Sequence, residues 1–156
     1  MKRFLYIIKT FFISPEFTFL AVTSLLVFLY PEIFIWLSTR INTTSEIVKY
    51  LYVLPAGITV YMVTQKRELL SPEPEKASES LLKWPDYHKI SDSFWICITY
   101  GGLGTFFCFS TALFGDLKDY RMLVVFLSGI VISIITVLTF INAAIVIKKI
   151  IAEFQN

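Results

Sequence analysis

An ionisable side chain lies inside one of the most apolar stretches of the sequence. The segment FLYPEIFIWL, residues 28–37, is aromatic and aliphatic except for Pro31 and Glu32. A carboxylate is costly to place in hydrocarbon, and residues of this kind usually pair with a cation or take part in transport. Glu32 is therefore the first residue whose type and position point to chemistry.

A residue of opposite charge, Lys49, enters the next apolar stretch. The connection STRINTTSE, residues 38–46, is short, so the two stretches should be antiparallel neighbours with Glu32 and Lys49 at similar depth. The sequence thus predicts an intramembrane ion pair, with a proton-coupling or pore-lining role for Glu32 as the alternative. A weaker pairing of Glu16 with Lys66 and Arg67 is expected at the other end of this hairpin.

Constellations typical of enzymes and metal sites are not found. One histidine and two cysteines are too few for a metal site of the usual kind, and Cys97 and Cys108 lie too far apart along one apolar run to form a disulfide. YGGLG lacks the preceding strand that a nucleotide-binding loop requires. With no nucleophile elbow and no paired carboxylates, we expect a protein that is not an enzyme and has no cofactor.

The composition of the chain is that of a membrane protein. Its 156 residues are 56% hydrophobic and 17% aromatic, with a mean hydropathy of +0.68, whereas an ordinary soluble domain has about 45–50% apolar residues. The net charge of +2 is too small to predict direct nucleic-acid binding. Because an open sheet leaves its edges unpaired in lipid, the expected fold is an all-α integral membrane protein.

Four apolar segments are predicted to cross the bilayer, for which about 20 helical residues are needed. They form one membrane domain over residues 1–156, with two antiparallel hairpins joined by an inner loop at residues 65–92. Ser14, Pro15 and Glu16 are interpreted as the N-cap and first two residues of the first helix, and Pro55 and Gly57 interrupt the second. The predicted spans are residues 17–37, 47–64, 93–115 and 122–147.

The segment before the first span, MKRFLYIIKTFF, mixes basic and apolar residues. The pattern predicts either a short helix on the inner membrane surface or a plain extension of the first span. The first apolar run is too long for the core of a signal peptide and no A-x-A-like site follows it, so we expect an uncleaved span.

Basic residues near the span ends predict the orientation. Four of the 14 lysines and arginines fall on one side of the predicted layout, namely Arg40, Lys49, Lys118 and Arg121, and the rest fall on the other. By the positive-inside rule, both termini should lie in the cytoplasm, with the lipid bilayer as the surroundings.

Small residues on the last two spans predict close helix packing. They gather on one face of each helix, which allows two backbones to approach in lipid. The polar face of the fourth span could serve as interhelical glue or could line a wet pathway. Because two small faces exceed what one neighbour each can cover, we also expect a homo-oligomer, a dimer or tetramer. The predicted packing residues are Gly101, Gly104, Cys108, Ala112, Gly115, Gly129 and Ser133.

The inner loop carries a second group of candidate residues. Aromatic side chains beside a span usually mark the headgroup region, but they are also the types that dominate contacts with soluble partners. Both interpretations stay open, and docking of a soluble cytoplasmic effector protein is a hypothesis for this surface. Its candidate residues are Lys66, Arg67, Trp84, Tyr87 and His88.

The overall layout can be compared with known families. The chain combines four predicted spans, a charged inner loop after TVYMVTQKR and a third span reading GGLGTFFCF. This layout resembles the small membrane subunits of bacterial anti-phage systems, such as the membrane component of the Kiwa system and the phage-exclusion membrane protein of lambdoid prophages. The resemblance implies an inner-membrane homo-oligomer that senses perturbation of the envelope at infection and signals to a soluble cytoplasmic partner. It assigns no role to individual residues.

Two functional classes follow from the sequence. The first is a non-enzymatic membrane sensor or anchor subunit in antiviral defence. The second is a small ion channel or proton-coupled transporter that uses Glu32 and the polar face of the fourth span. Small multidrug transporters also have four spans and an essential first-span carboxylate, but here Glu16 precedes its span and Glu32 lies near the outer end.

Overall fold

The structure, a computed structural model, describes residues 2–41, 45–70 and 87–155. Within these ranges the chain is helical apart from short connections and contains no strand. The helices are α1 (Lys2–Phe12), α2 (Pro15–Leu29), α3 (Pro31–Arg40), α4 (Glu46–Leu70), α5 (Tyr87–Phe114) and α6 (Tyr120–Gln155).

Three long helices form the centre of the molecule. α5 packs against both α4 and α6, and α4 also contacts α6. Among the described residues, the stretches Glu46–Leu70, Tyr87–Phe114 and Tyr120–Lys149 are long and apolar enough to cross a membrane, and a bent fourth span is available if α1 and α2 are counted together. The prediction of an all-α membrane protein is confirmed at this level, whereas the number of spans and their orientation stay predictions.

Core side chains from all three long helices meet at the end of the bundle where α4 finishes and α5 begins. Met62 of α4, Phe94 of α5 and Phe140 of α6 are fully buried and belong to one cluster. The rings of Phe94 and Phe140 lie 4.8 Å apart, centroid to centroid. This cluster joins the three long helices, whereas the first two helices rest on a neighbouring cluster that contains Ile96, Tyr100 and Ile132.

The predicted first span is broken into two helices. α2 ends at Leu29, Tyr30 leaves helical geometry at φ −133° and ψ 58°, and Pro31 starts α3. Proline lacks an N–H group and disfavours helical geometry in the residue before it, which explains the break. A continuous helix over residues 17–37 was therefore the wrong expectation, and α3 instead packs against α6.

Pro55, by contrast, does not interrupt its helix. α4 runs without a break from Glu46 to Leu70 with Pro55 buried in its interior. The Thr59 hydroxyl donates a hydrogen bond to the Pro55 carbonyl oxygen at 2.9 Å within the same helix. α4 also packs against both α5 and α6, and neighbouring helices commonly help a membrane helix to accommodate proline. The predicted interruption at Pro55 and Gly57 is thus corrected.

The junction of α1 and α2, at Ile13 and Ser14, is called the elbow below. The axes of the two helices differ by 49°. Ser14 has extended backbone geometry, and its hydroxyl oxygen accepts a hydrogen bond from the Phe17 N–H at 3.1 Å. The predicted N-cap and the first helical position of Pro15 are therefore confirmed.

α1 is a short helix that rests on the bundle, and its position relative to the membrane surface stays a prediction. Its contacts are with α5, through side chains that include Ile7 and Phe11 beside the buried residues Ile96 and Tyr100. The Phe11 and Tyr100 rings are stacked with centroids 4.5 Å apart. The elbow thus brings the beginning of α2 to the side of α5 and α6.

Glycines allow α5 and α6 to approach closely. A Cβ atom added at Gly104 would lie 2.7 Å from the Gly129 carbonyl oxygen, and one added at Gly129 would lie 2.8 Å from the Gly104 carbonyl oxygen. Gly101 faces α4, where its added Cβ would lie 2.9 Å from Thr59 Oγ1. Because α4 and α6 cover these small faces within one chain, the faces supply no argument for self-association, and the expected homo-oligomer stays a prediction.

Candidate functional site

A cavity of about 400 Å³ lies between the elbow and the side of α5 and α6. We call it the elbow cavity. Its volume falls within the range of about 300–1,000 Å³ that is typical of ligand sites. It is lined by Tyr6, Lys9, Thr10, Ile13, Ser14, Pro15, Glu16, Ser93, Ile96, Cys97 and Thr139.

Glu16 is the most deeply buried polar residue that lines this cavity. Its side chain is only 2% exposed, and its carboxylate oxygen Oε1 has no hydrogen-bond partner. A buried carboxylate that lacks a partner is costly, because nothing replaces the water that it has lost. A proton or a positively charged group next to Oε1 would lower this cost.

Local sequence explains why a carboxylate is held here. Ser14 caps α2 and Pro15 occupies its first position, so Glu16 falls in the first helical turn. The free N–H groups and the dipole at a helix N-terminus favour negative charge. Since α2 packs on α6, this turn is enclosed by the bundle, and the carboxylate is shielded from solvent.

The hydroxyl groups around Glu16 donate their protons elsewhere. The Ser93 hydroxyl donates to the Lys89 carbonyl oxygen at 2.9 Å, and the Thr139 hydroxyl donates to the Ile135 carbonyl oxygen at 3.1 Å. Both hydroxyl protons are therefore used within their own helices, and neither bond involves Glu16.

One face of α1 forms the opposite wall of the cavity. Tyr6, Lys9, Thr10 and Ile13 all line it, at spacings of three and four residues that place them on the same side of a helix. Lys9 lies in the last turn of α1 and is exposed, and no ion pair joins it to Glu16 in the described part of the chain. The cavity thus has a buried negative group and an accessible positive one.

The predicted partners of Glu16 lie elsewhere. Lys66 sits on the Trp95 ring, with its Nζ atom 3.1 Å from the ring centroid, and Arg67 is exposed near the end of α4. Neither cation lines the elbow cavity. The Ser-Pro-Glu sequence identified the position of Glu16 in the helix, but the cavity depends on the docking of α1 on α5, which has no signature in the sequence.

Glu32 and Lys49 are not brought together. Both side chains are exposed, and the described residues contain no ion pair between them. The physical reason is the packing of α3, which contacts α6 and is not among the close neighbours of α4, the helix that carries Lys49. Near the end of α3, the Arg40 guanidinium lies 5.5 Å from the centroid of the Trp36 ring.

The polar face of α6 is closed against its neighbours. Ser128, Ser133 and Thr136 are buried, and the Ser133 hydroxyl donates to the Gly129 carbonyl oxygen at 2.8 Å. Over this part of the face the arrangement corresponds to interhelical packing, whereas Thr139 lines the elbow cavity and Asn142 is exposed. Thr136 differs from Ser133, because its buried hydroxyl oxygen has no hydrogen-bond partner among the described residues.

Of the other predicted packing residues, Cys108 and Gly115 lie where α5 meets α6, and Ala112 does not. The Cys108 thiol is buried and donates to the Phe126 carbonyl oxygen at 3.6 Å across the α5–α6 contact. A Cβ atom added at Gly115 would lie 3.1 Å from Met122 Cγ, at the turn between the same helices. Ala112 is exposed and makes no close helix contact of this kind.

The predicted docking residues are partly brought together. Lys66, Arg67 and Tyr87 line a second cavity of about 400 Å³ between α4 and α5, with Trp95 at its side. Tyr87 is half-buried against the central cluster, and His88 beside it is exposed. Trp84, the remaining residue of this prediction, lies outside the described residues.

The elbow cavity thus combines a buried carboxylate, an exposed lysine and mainly apolar walls. In comparisons with known proteins, no family model, no curated protein and no solved structure matches this chain.

Proposed function

We propose that this protein is a non-enzymatic membrane sensor subunit in which the elbow cavity receives the group that is sensed. The observation that carries the proposal is Glu16, which lines a cavity and whose buried oxygen Oε1 has no hydrogen-bond partner in the described part of the chain. Burial of such a group lowers stability, and proteins commonly tolerate this cost at sites of binding.

The placement of the cavity suggests how occupancy is transmitted. One wall belongs to α1 and the elbow, and the other wall belongs to the central bundle. α1 is attached to the bundle through few residues, chiefly around Phe11 and Tyr100. A bound group next to Glu16 therefore changes the balance between a docked and an undocked α1, which is a population shift of the ordinary kind.

The signal is proposed to reach a soluble cytoplasmic partner at the ends of α4 and α5, where Lys66, Arg67, Tyr87 and His88 lie. The setting, antiviral defence at the bacterial inner membrane, and assembly as a dimer or tetramer are proposed from the resemblance in layout. Native mass spectrometry of the protein released from lipid nanodiscs tests the assembly.

The channel or transporter alternative has less support. It requires Glu32 and the polar face of α6 to line a common space. Glu32 is exposed on α3, whereas Ser133 and Thr136 on α6 are fully buried. We therefore propose the sensor function rather than a channel or transporter.

The sensor proposal is tested by the distance between α1 and the bundle. Spin labels are attached to cysteines introduced at Ile8 and Gly102, which are exposed, while the native cysteines are buried and protected from labelling. The labelled protein is placed in vesicles, which are then swollen in hypo-osmotic buffer. The expected result is a change of several ångströms in the label distance that Glu16→Gln abolishes and Glu32→Gln retains. An unchanged distance in the parent protein would contradict the proposal.

The partner is tested separately with a photo-reactive amino acid. It is introduced at His88, beside the proposed docking surface, and in a control at Gly102 on the apolar surface of α5. We expect a single soluble protein to be cross-linked from position 88 and not from position 102. Cross-linking to lipid alone at both positions would remove the docking part of the proposal.

A further inference from the structure

The elbow cavity has the chemistry to bind a specific class of ligand. We infer that it holds the phosphoethanolamine head of a zwitterionic phospholipid, with the primary ammonium at Glu16 and the phosphate at Lys9. This inference rests on the proposed function for its biological meaning, because it names the group that occupies the sensor site.

The first step concerns the buried charge. An ammonium group supplies three N–H donors and a positive charge, and hydrogen bonds between such a group and a carboxylate are among the stronger ones in proteins. It therefore satisfies Glu16 Oε1, which has no hydrogen-bond partner among the described residues. A proton alone would neutralise the carboxylate but would leave the cavity of about 400 Å³ unfilled.

A metal ion fits the same position poorly. Hard cations such as Ca²⁺ take six to eight oxygen ligands. The part of the chain that the structure describes contains no group of three histidine, cysteine, aspartate or glutamate side chains that could hold a metal. Glu16 is the only carboxylate that lines the elbow cavity, so an organic cation is the better match.

The second step concerns the opposite wall. Tyr6, Lys9 and Thr10 present a phenol, an ammonium and a hydroxyl group from one face of α1. Each of these groups can donate a hydrogen bond to a phosphate oxygen, and lysine adds the charge. The positive wall and the negative wall of the same cavity thus match the two charges of a zwitterion.

The third step concerns access from the bilayer. Ile13 lines the cavity and is 68% exposed, and the neighbouring Phe12 is 54% exposed. Apolar side chains exposed beside a polar cavity provide a surface for acyl chains while the headgroup enters. The ligand is accordingly expected to reach the site as a lipid of the surrounding bilayer.

Phosphatidylethanolamine is distinguished from its neighbours by the same chemistry. The trimethylammonium group of phosphatidylcholine has the charge but no N–H donor, and phosphatidylglycerol has no cation. Free phosphoethanolamine has both charged groups but no acyl chains to lie against Phe12 and Ile13. These compounds therefore show separately whether the N–H donors, the positive charge and the acyl chains are required, and the Lys9→Gln variant below probes the phosphate.

The test is lipid retention measured by native mass spectrometry on the full chain. The purified protein is titrated with phosphatidylethanolamine, phosphatidylcholine or phosphatidylglycerol of matched acyl chains, or with free phosphoethanolamine. We expect preferential retention of phosphatidylethanolamine, weakened by about tenfold or more in Glu16→Gln, since a charge-assisted bond of this strength is lost. The exposed carboxylate provides the matched control, Glu32→Gln, which should bind as the parent does.

A second variant keeps the inference testable in case Glu16→Gln does not fold. Lys9→Gln changes an exposed side chain on the rim and should weaken retention of phosphatidylethanolamine without altering the helical circular dichroism spectrum. Equal retention of phosphatidylethanolamine and phosphatidylcholine, or unchanged retention in both variants, would overturn the inference. Equally tight binding of free phosphoethanolamine would assign the site to a soluble ligand and overturn the lipid source.

The two proposals fail in distinguishable ways. If phosphatidylethanolamine binds through Glu16 but the Ile8 to Gly102 label distance never changes, the site is a structural lipid site and the sensor function is wrong. If the distance changes with vesicle swelling but no lipid preference is found, the sensor stands and the ligand class is wrong.

Discussion

Tyr100 holds Phe11 through two different contacts. Its hydroxyl group donates a hydrogen bond to the Phe11 carbonyl oxygen at 2.9 Å, and the two rings are stacked with centroids 4.5 Å apart. Because Tyr100 belongs to α5 and Phe11 to the last turns of α1, this pair attaches the first helix to the bundle. The position of α1, and with it one wall of the elbow cavity, depends on it.

Removal of the Tyr100 hydroxyl should loosen α1 selectively. Tyr100→Phe retains the stacked ring but loses the hydrogen bond, which contributes about 0.5–1.5 kcal/mol. We expect faster amide hydrogen exchange in peptides from α1 and unchanged exchange in α4 to α6. Tyr61→Phe is the matched control, because the Tyr61 side chain is exposed and its ring also lies near a phenylalanine. Equal exchange in Tyr100→Phe and the parent would mean that stacking alone holds α1.

The glycine contact between α5 and α6 should tolerate no side chain. In Gly104→Ala the new Cβ would meet Ser133 Oγ and the backbone carbonyl of Gly129, and overpacking of this kind costs about 1–3 kcal/mol. A thiol-reactive fluorescent maleimide measures this, because both native cysteines are buried and become reactive on thermal unfolding. The expected result is a lower unfolding midpoint.

Gly102 provides the control for this prediction. It lies on the same helix, and a Cβ atom added there meets nothing within 4 Å. Gly102→Ala should leave the midpoint unchanged or raise it slightly, since alanine is the better helix former. Equal midpoints for Gly102→Ala and Gly104→Ala would show that the two helices can separate at little cost.

Neutralisation of Glu16 should stabilise the ligand-free protein. Glu16→Gln removes a buried charge that has no partner, and the gain in free energy of unfolding should be about 1 kcal/mol or more in a detergent without amine lipids. The thiol assay should report a higher midpoint for this variant and no change for Glu32→Gln. A lower midpoint for Glu16→Gln would mean that the carboxylate is already satisfied within the chain.

The contact of Lys66 with Trp95 should contribute to the joining of α4 to α5. With Lys66 Nζ at 3.1 Å from the ring centroid, the cation–π interaction is expected to contribute about 0.5–2 kcal/mol. Lys66→Met should lower the unfolding midpoint, and the neighbouring exposed residue supplies the control Arg67→Met. In a double-mutant cycle, Lys66→Met should have a much smaller effect after Trp95→Leu; equal effects in both backgrounds would show that the contact contributes nothing.

The long apolar helices could be predicted from the sequence, and their interruptions could not. Length and hydropathy are sufficient to identify α4, α5 and α6 because each must satisfy its backbone groups within lipid. Pro31 and Pro55 both remove a backbone donor, but Pro31 begins a new helix whereas α4 continues past Pro55 beside the Thr59 hydroxyl. That difference depends on neighbouring side chains and packing, which single-residue patterns do not specify.

The candidate site was predictable only in part for a similar reason. The Ser-Pro-Glu sequence places Glu16 in the first turn of α2, as the structure confirms. The cavity, however, requires α1 to pack on α5, and periodicity within α1 does not indicate which helix it meets. The sequence pointed to Glu32 as an intramembrane carboxylate because its neighbours in the chain are apolar, although its side chain is exposed in the fold.

The hydrogen bond between Tyr100 and Phe11 joins residues that are 89 positions apart, and this separation constrains the order of assembly during synthesis. When α1 leaves the ribosome, the helix that receives it has not yet been made. Chain elongation at about 5–20 residues per second delays the arrival of Tyr100 by several seconds. During that interval α1 has only lipid or the translocation machinery to cover its apolar face, so its docking is a late step that follows insertion of α5. The elbow cavity is therefore completed last, in a bilayer whose lipids are already present at its entrance.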